Sequence, residues 1–147
     1  MGPHDLWPPD DVVATANELA DRSGARVTVS GDVGTGVAGV DFVYTDVWVS
    51  MGEPRGVWEQ RVALLRPFQV NADVMKRTGN AAAKFLHCLP SFHAANTTVG
   101  TEVMNAVALP DGLEVTDEVF ESPASIVFDQ AENRLHTIKA ILVATLG

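Results

Sequence analysis

Asp41-Phe42-Val43-Tyr44-Thr45-Asp46-Val47-Trp48-Val49-Ser50-Met51-Gly52-Glu53 is the stretch whose reading decides the fold. Aromatic and β-branched residues predict a strand over Asp41 to Thr45. From Phe42 to Val49 the apolar run is interrupted by one carboxylate, Asp46, and then breaks into Ser-Met-Gly. A strand buried on both faces reads as nearly continuous apolar residues. A carboxylate at its end therefore asks for a purpose.

Working outward, the neighbouring segments supply the architecture. Upstream, Pro8-Pro9-Asp10 and the following DVVATANELADRSG predict a helix, with proline near its first turn, acids at its positive end and Gly24 after its last turn. Arg26 to Ser30 predicts a further strand, and Asp32 to Val40 leaves room only for a short helix. Downstream, Val57 to Leu65 and Asn71 to Thr78 predict helices split by Pro67, followed by a strand over Lys84 to His87. Ser91 to Asp111 is polar and loop-like with room for one helix, and Leu113 to Thr116 predicts a short strand. The tail places Val127, Ala131, Leu135, Ile138, Leu142 and Leu146 on one helical stripe. Strands alternating with helices predict an α/β fold, a three-layer sandwich around a parallel sheet. The sequence carries no internal repeat, linker or second domain.

Composition narrows the function classes. A chain of 147 residues is about one domain by length, and 46% hydrophobic with 20% charged residues excludes disorder and fibrous repeats. The net charge of −9 argues against a nucleic-acid partner, which requires a basic face to displace counterions. The single cysteine, Cys88, forms no internal disulfide. The N-terminus lacks the cationic start and apolar core of a signal peptide, and no apolar run approaches the roughly 20 residues of a membrane span. A soluble, cytoplasmic protein with no membrane partner is the expectation.

Four motifs carry possible chemistry. Gly34-Thr35-Gly36-Val37-Ala38-Gly39 matches the dinucleotide pattern G-x-G-x-x-G, but a parallel crossover needs a dozen or more residues, and too few separate Gly39 from the next strand. A glycine-rich short helix and turn is the better reading. His87-Cys88-Leu89-Pro90 follows directly on a strand, at the carboxyl edge where open α/β sheets bind ligands. Adjacent strand residues point to opposite faces, so His87 does not activate Cys88 directly, and zinc spacing is absent. Cys88 is thus either a buried, unreactive thiol or a site residue. Asp46, also at a strand end, either caps the turn that follows or binds an ammonium group, with the Ser-Met-Gly turn offering donors to a carboxylate on the same ligand. Arg134, in Asp129-Gln130-Ala131-Glu132-Asn133-Arg134, is either aimed at an oxyanion or an i,i+4 partner of Gln130. Asn96-Thr97-Thr98 is a glycosylation sequon in pattern only.

Taken together, Asp46-x-x-x-Ser50-Met51-Gly52, His87-Cys88-Leu89-Pro90, Leu113 to Phe120 (LEVTDEVF) and Glu132-Asn133-Arg134 resemble the second half of ornithine carbamoyltransferase, in order along nearly the whole chain. The resemblance implies a Rossmann-like domain over residues 1–125 that binds L-ornithine. It also implies that residues 126–147 form a C-terminal helix packing on a carbamoyl-phosphate domain. Asp46 would take the α-ammonium of ornithine, and Ser50 with Met51 would close over its carboxylate end. Cys88 and the Leu89 carbonyl would orient the δ-amine and carbamoyl group, and Arg134 would face the carbamoyl oxygen; Cys88 and Arg134 are the catalytic candidates. In the family the Leu-Pro bond of this motif is cis, and no metal or cofactor is needed.

The family's Ser-x-Arg-Thr phosphate loop has no counterpart in this sequence. Carbamoyl phosphate is therefore expected to bind only together with an N-terminal domain, and the chain alone is expected to be inactive. Gly2-Pro3 matches the turn after the domain's first strand, so that strand is expected to be missing. In a 2-1-3-4-5 sheet it would lie between Arg26–Ser30 and Asp41–Thr45, and its loss leaves two open edges that favour self-association; the family forms trimers. A rival from another class is a non-catalytic remnant or interaction module that uses the fold only to bind a partner. Neither a biosynthetic nor a catabolic role in arginine metabolism is legible.

Overall fold

The computed structural model describes residues 1–49, 53 and 56–146. Helix α1 (Asp10–Ser23) ends at Gly24, whose φ of +75° supplies the left-handed stop expected there. Helix α2 (Val33–Val37) is a single turn capped by Asp32, whose carboxylate accepts the Thr35 amide at 2.8 Å. Gly39, at φ +72°, then turns the chain into strand β1 (Phe42–Thr45). The glycine-rich segment is thus a short helix and turn, with no crossover helix of a dinucleotide fold.

Helix α3 (Val57–Leu65) and helix α4 (Ala72–Arg77) are separated by a 3₁₀ turn over Arg66–Phe68, where Pro67 ends the first helix. Strand β2 (Lys84–His87) pairs with β1 in parallel, Phe42 opposite Lys84 and Thr45 opposite His87, so both strands reach the carboxyl edge in step. Helices α5 (Thr98–Val107), α6 (Asp117–Phe120) and α7 (Val127–Leu146) complete the described elements. Two apolar cores form among the described residues. One joins Val37, Val43, Val74, Phe85, Val119 and Val127, and the other joins Trp48, Val62, Met104 and Leu113. No helix of the described residues is long and apolar enough to cross a membrane.

Two predicted strands are absent. Arg26 to Ser30 runs as irregular chain, tied by the Gly2 amide donating to the Ser30 carbonyl at 3.1 Å. A strand exists only through a partner, and a cleft of about 710 Å³, lined by Arg26 and Thr28 on one side and Phe42 and Tyr44 on the other, separates this segment from β1. Phe42 and Tyr44 consequently stand 61% and 56% exposed. Leu113 to Thr116 makes only one parallel bridge, Val70 with Val115. Pairing stops there because α4 begins at Ala72 and α6 at Asp117, so both partners turn away into helices.

Candidate functional site

The parallel register brings the ends of β1 and β2 side by side, and the two motif residues that follow them meet. The Cys88 thiol donates to Asp46 Oδ1 at 2.7 Å. That oxygen also accepts the Val47 amide at 2.7 Å, so Asp46 caps the turn as well. Among the described residues Oδ2 has no hydrogen bond, and Asp46 is exposed, which leaves half of the carboxylate open to a cationic ligand. Asp46 also borders a cavity of about 270 Å³ shared with Thr45, Trp48 and Arg61.

The environment decides the state of the thiol. Partial desolvation at the rim raises the Cys88 pKa, and the hydrogen bond to Asp46 and its negative charge raise it further. Cys88 is exposed, yet it is held as a thiol rather than a thiolate nucleophile. It is neither buried nor activated. The Tyr44 pKa is raised by partial desolvation first and then by the neighbouring Cys88, with Gln130 acting in the opposite direction.

The turn after β2 has unusual backbone. Leu89 sits at φ +51° and the Leu89-Pro90 bond is cis, as the resemblance implied. The left-handed region costs a residue with a Cβ about 1–2 kcal/mol, and here the Leu89 amide donates to His87 Nδ1 at 2.9 Å. The Leu89 carbonyl accepts no hydrogen bond among the described residues. His87 points away from Cys88, into the protein, as strand alternation required; it is 1% exposed.

Arg134 lies one turn beyond Gln130 on α7. Gln130 Oε1 accepts the His87 amide at 3.1 Å, which ties the start of α7 to the end of β2. The Arg134 side chain is exposed and pairs with nothing among the described residues; Gln130 bonds to the sheet, so the i,i+4 pair is not made. Ser50 and Met51 lie outside the described residues.

Sequence reasoning missed Tyr44, Gln130 and the buried couple of His87 and Glu114. Glu114 did leave a signal, a lone carboxylate between Leu113 and Val115, the same pattern that drew attention to Asp46. A separate cluster brings ligand atoms of His93, Asp117 and Glu121 within 4.8 Å of one another. His93 stacks on Phe120 at 3.7 Å and pairs with Asp117 at 2.8 Å, an arrangement that packing and pairing explain.

The aspartate/ornithine carbamoyltransferase Asp/Orn-binding domain family matches residues 1–145. The chain is 55% identical over 146 residues to a catabolic ornithine carbamoyltransferase of Rhizobium meliloti (strain 1021), covering 99% of this chain and 44% of that protein. It superposes on the crystal structure of ornithine carbamoyltransferase from Gloeobacter violaceus with a TM-score of 0.76 at 36% identity, covering 99% of this chain and 41% of that one. The ornithine carbamoyltransferase of Pyrococcus furiosus gives the same TM-score at 39% identity, covering 95% of this chain and 38% of that one. The chain thus spans less than half the length of these relatives.

Proposed function

Because the chain belongs to the aspartate/ornithine carbamoyltransferase family, as its Asp/Orn-binding domain, we propose that it is the ornithine-binding half of an enzyme that makes citrulline and phosphate from ornithine and carbamoyl phosphate. The observation that carries this reading is the Asp46–Cys88 contact at the carboxyl edge of two parallel strands. It sets an anion with a free oxygen, a protonated thiol and the unpaired Leu89 carbonyl beside one another. Two acceptors and a weak donor suit a ligand with an α-ammonium at one end and an amine at the other, as L-ornithine has once its δ-nitrogen has given up a proton to become the nucleophile.

In this reading Asp46 takes the α-ammonium, and Ser50 and Met51 close over the carboxylate. Cys88 and Leu89 orient the δ-amine for attack on the carbamoyl carbon, and Arg134 faces the carbamoyl oxygen as charge develops. Its exposed, unpaired guanidinium supports that role, since it is free to meet a group from outside this domain. The exposed stripe of α7, with Leu135 and Leu142 at 67% and 50%, supports a helix that packs on a carbamoyl-phosphate domain.

The experiment is a two-part assay. NMR titration of the chain with L-ornithine is expected to move the Asp46 and Cys88 signals weakly, and Asp46→Asn to abolish that response. Citrulline is expected only when a carbamoyl-phosphate domain from a relative is added in trans, because removing even one preorganised donor costs on the order of 10²-fold in rate. Equal shifts in mutant and parent, or citrulline from the chain alone, would overturn the assignment.

A further inference from the structure

We propose that His87 and Glu114 are positioning residues, one buried couple that presets the Cys88-Leu89-Pro90 turn from beneath, with His87 fixed as its Nε2–H tautomer. The role in ligand binding rests on the ornithine reading above; the grip on the turn does not.

The argument begins with a proton. The Leu89 amide donates to His87 Nδ1 at 2.9 Å, so Nδ1 presents a lone pair and the ring proton of the neutral imidazole resides on Nε2. Nε2 lies 3.2 Å from Glu114 Oε1, too poorly aligned for a hydrogen bond, and both side chains are 0% exposed. The same Oε1 accepts the Ser91 hydroxyl at 2.8 Å and the Phe92 amide at 2.7 Å. One couple therefore grips the chain at Leu89, Ser91 and Phe92, while Cys88 turns the other way to Asp46. Glu114 is itself anchored, since its carbonyl accepts the Val70 amide at 2.9 Å beside the Val70–Val115 bridge.

A buried polar couple is a poor device for stability, because well-packed apolar residues often do as well or better. Glu114 Oε2 even remains buried without a partner. What the couple supplies is geometry: Leu89 held in the left-handed region with its carbonyl turned free, at the point where the ligand's amine is to be oriented.

The test uses the 147-residue chain. Long-range proton–nitrogen NMR of the His87 ring is expected to show a bare Nδ1 and a protonated Nε2. H87Q retains a group near Nε2 but no acceptor for Leu89. It is expected to exchange the Leu89 amide on the order of 10-fold faster and to lose the L-ornithine response. H87N, which keeps an acceptor near Nδ1, is expected to preserve both. Should H87Q fail to fold, E114Q keeps the shape without the charge and is expected to speed exchange at Phe92 and weaken the L-ornithine response. A protonated Nδ1, unchanged Leu89 exchange in H87Q, or unchanged Phe92 exchange in E114Q overturns the proposal. A parent chain blind to L-ornithine but showing the expected tautomer and exchange overturns the ornithine reading and leaves the grip on the turn supported.

Discussion

Asp46 and Cys88 each alter what the other can do. The carboxylate raises the thiol pKa by accepting a hydrogen bond from it and by its charge, after the larger effect of partial desolvation. Asp46→Asn removes the charge, so the Cys88 pKa is expected to fall and alkylation by iodoacetamide at pH 8 to accelerate, the pH–rate profile moving to lower pH. An unchanged profile would show that the contact is not made in solution. Cys88 and Tyr44 also bear on stability with a definite sign. Both pKa values are raised in the folded state, so the folded chain holds these protons more tightly than the unfolded one. Their contribution is complete below the ordinary Cys and Tyr values and is lost as pH rises through the raised ones. Urea unfolding is expected to show stability declining on the alkaline side, above about pH 9, with Cys88→Ala flattening the first part of that decline.

At the scale of elements, the carboxyl edge is held by short segments whose ends are specified locally. Asn71 caps α4 by accepting the Val74 amide at 3.0 Å, and Thr97 caps α5 by accepting the Gly100 amide at 3.0 Å. Beyond α5, the segment carrying Glu114 depends on Gly112. Its φ is +105°, and a Cβ there would meet the Val115 carbonyl and, at 2.8 Å, the His93 carbonyl. Its own carbonyl accepts from Gln69 Nε2 at 2.9 Å. Gly112→Ala is expected to lower stability by about 2–3 kcal/mol in chemical denaturation and to loosen the Glu114 contacts, seen as faster exchange at Phe92. A loss under about 0.5 kcal/mol would mean the loop relaxes freely.

For the molecule as a whole, α7 is the outstanding feature. Val127 is buried at its start, but Leu135, Ile138, Ile141, Leu142, Val143 and Leu146 stand 46% to 80% exposed. At about 1.5–3 kcal/mol for each large side chain, such a stripe leaves on the order of 10 kcal/mol of transferable surface in water. The isolated chain is therefore expected to self-associate. Replacing Leu135, Ile138 and Leu142 with glutamate is expected to give a smaller sedimenting species with unchanged circular dichroism. A parent chain that sediments as a monomer at high concentration would refute this.

How much was legible follows from the range of each signal. Helix stops at Gly24 and Pro67, strands over Lys84–His87 and around Val43, and the helical period of the tail are short-range patterns, so local sequence alone determined them. Asp46 and Cys88 could be singled out one by one because each sits at a strand end. That they touch follows from the parallel register of β1 on β2, a contact across 42 positions that only the tertiary structure decides. Arg26–Ser30 has a strand's composition and is not a strand, because composition favours extended chain but pairing requires a neighbour within hydrogen-bond reach, and a cleft stands where that neighbour would be. His87 and Glu114 are 27 positions apart, as read from the sequence numbering, and nothing local to either tells which buried partner the other will be. Sequence by itself determined the elements and the chemistry they carry; folding decided which of those groups meet, because register and burial are properties of partners distant in the chain.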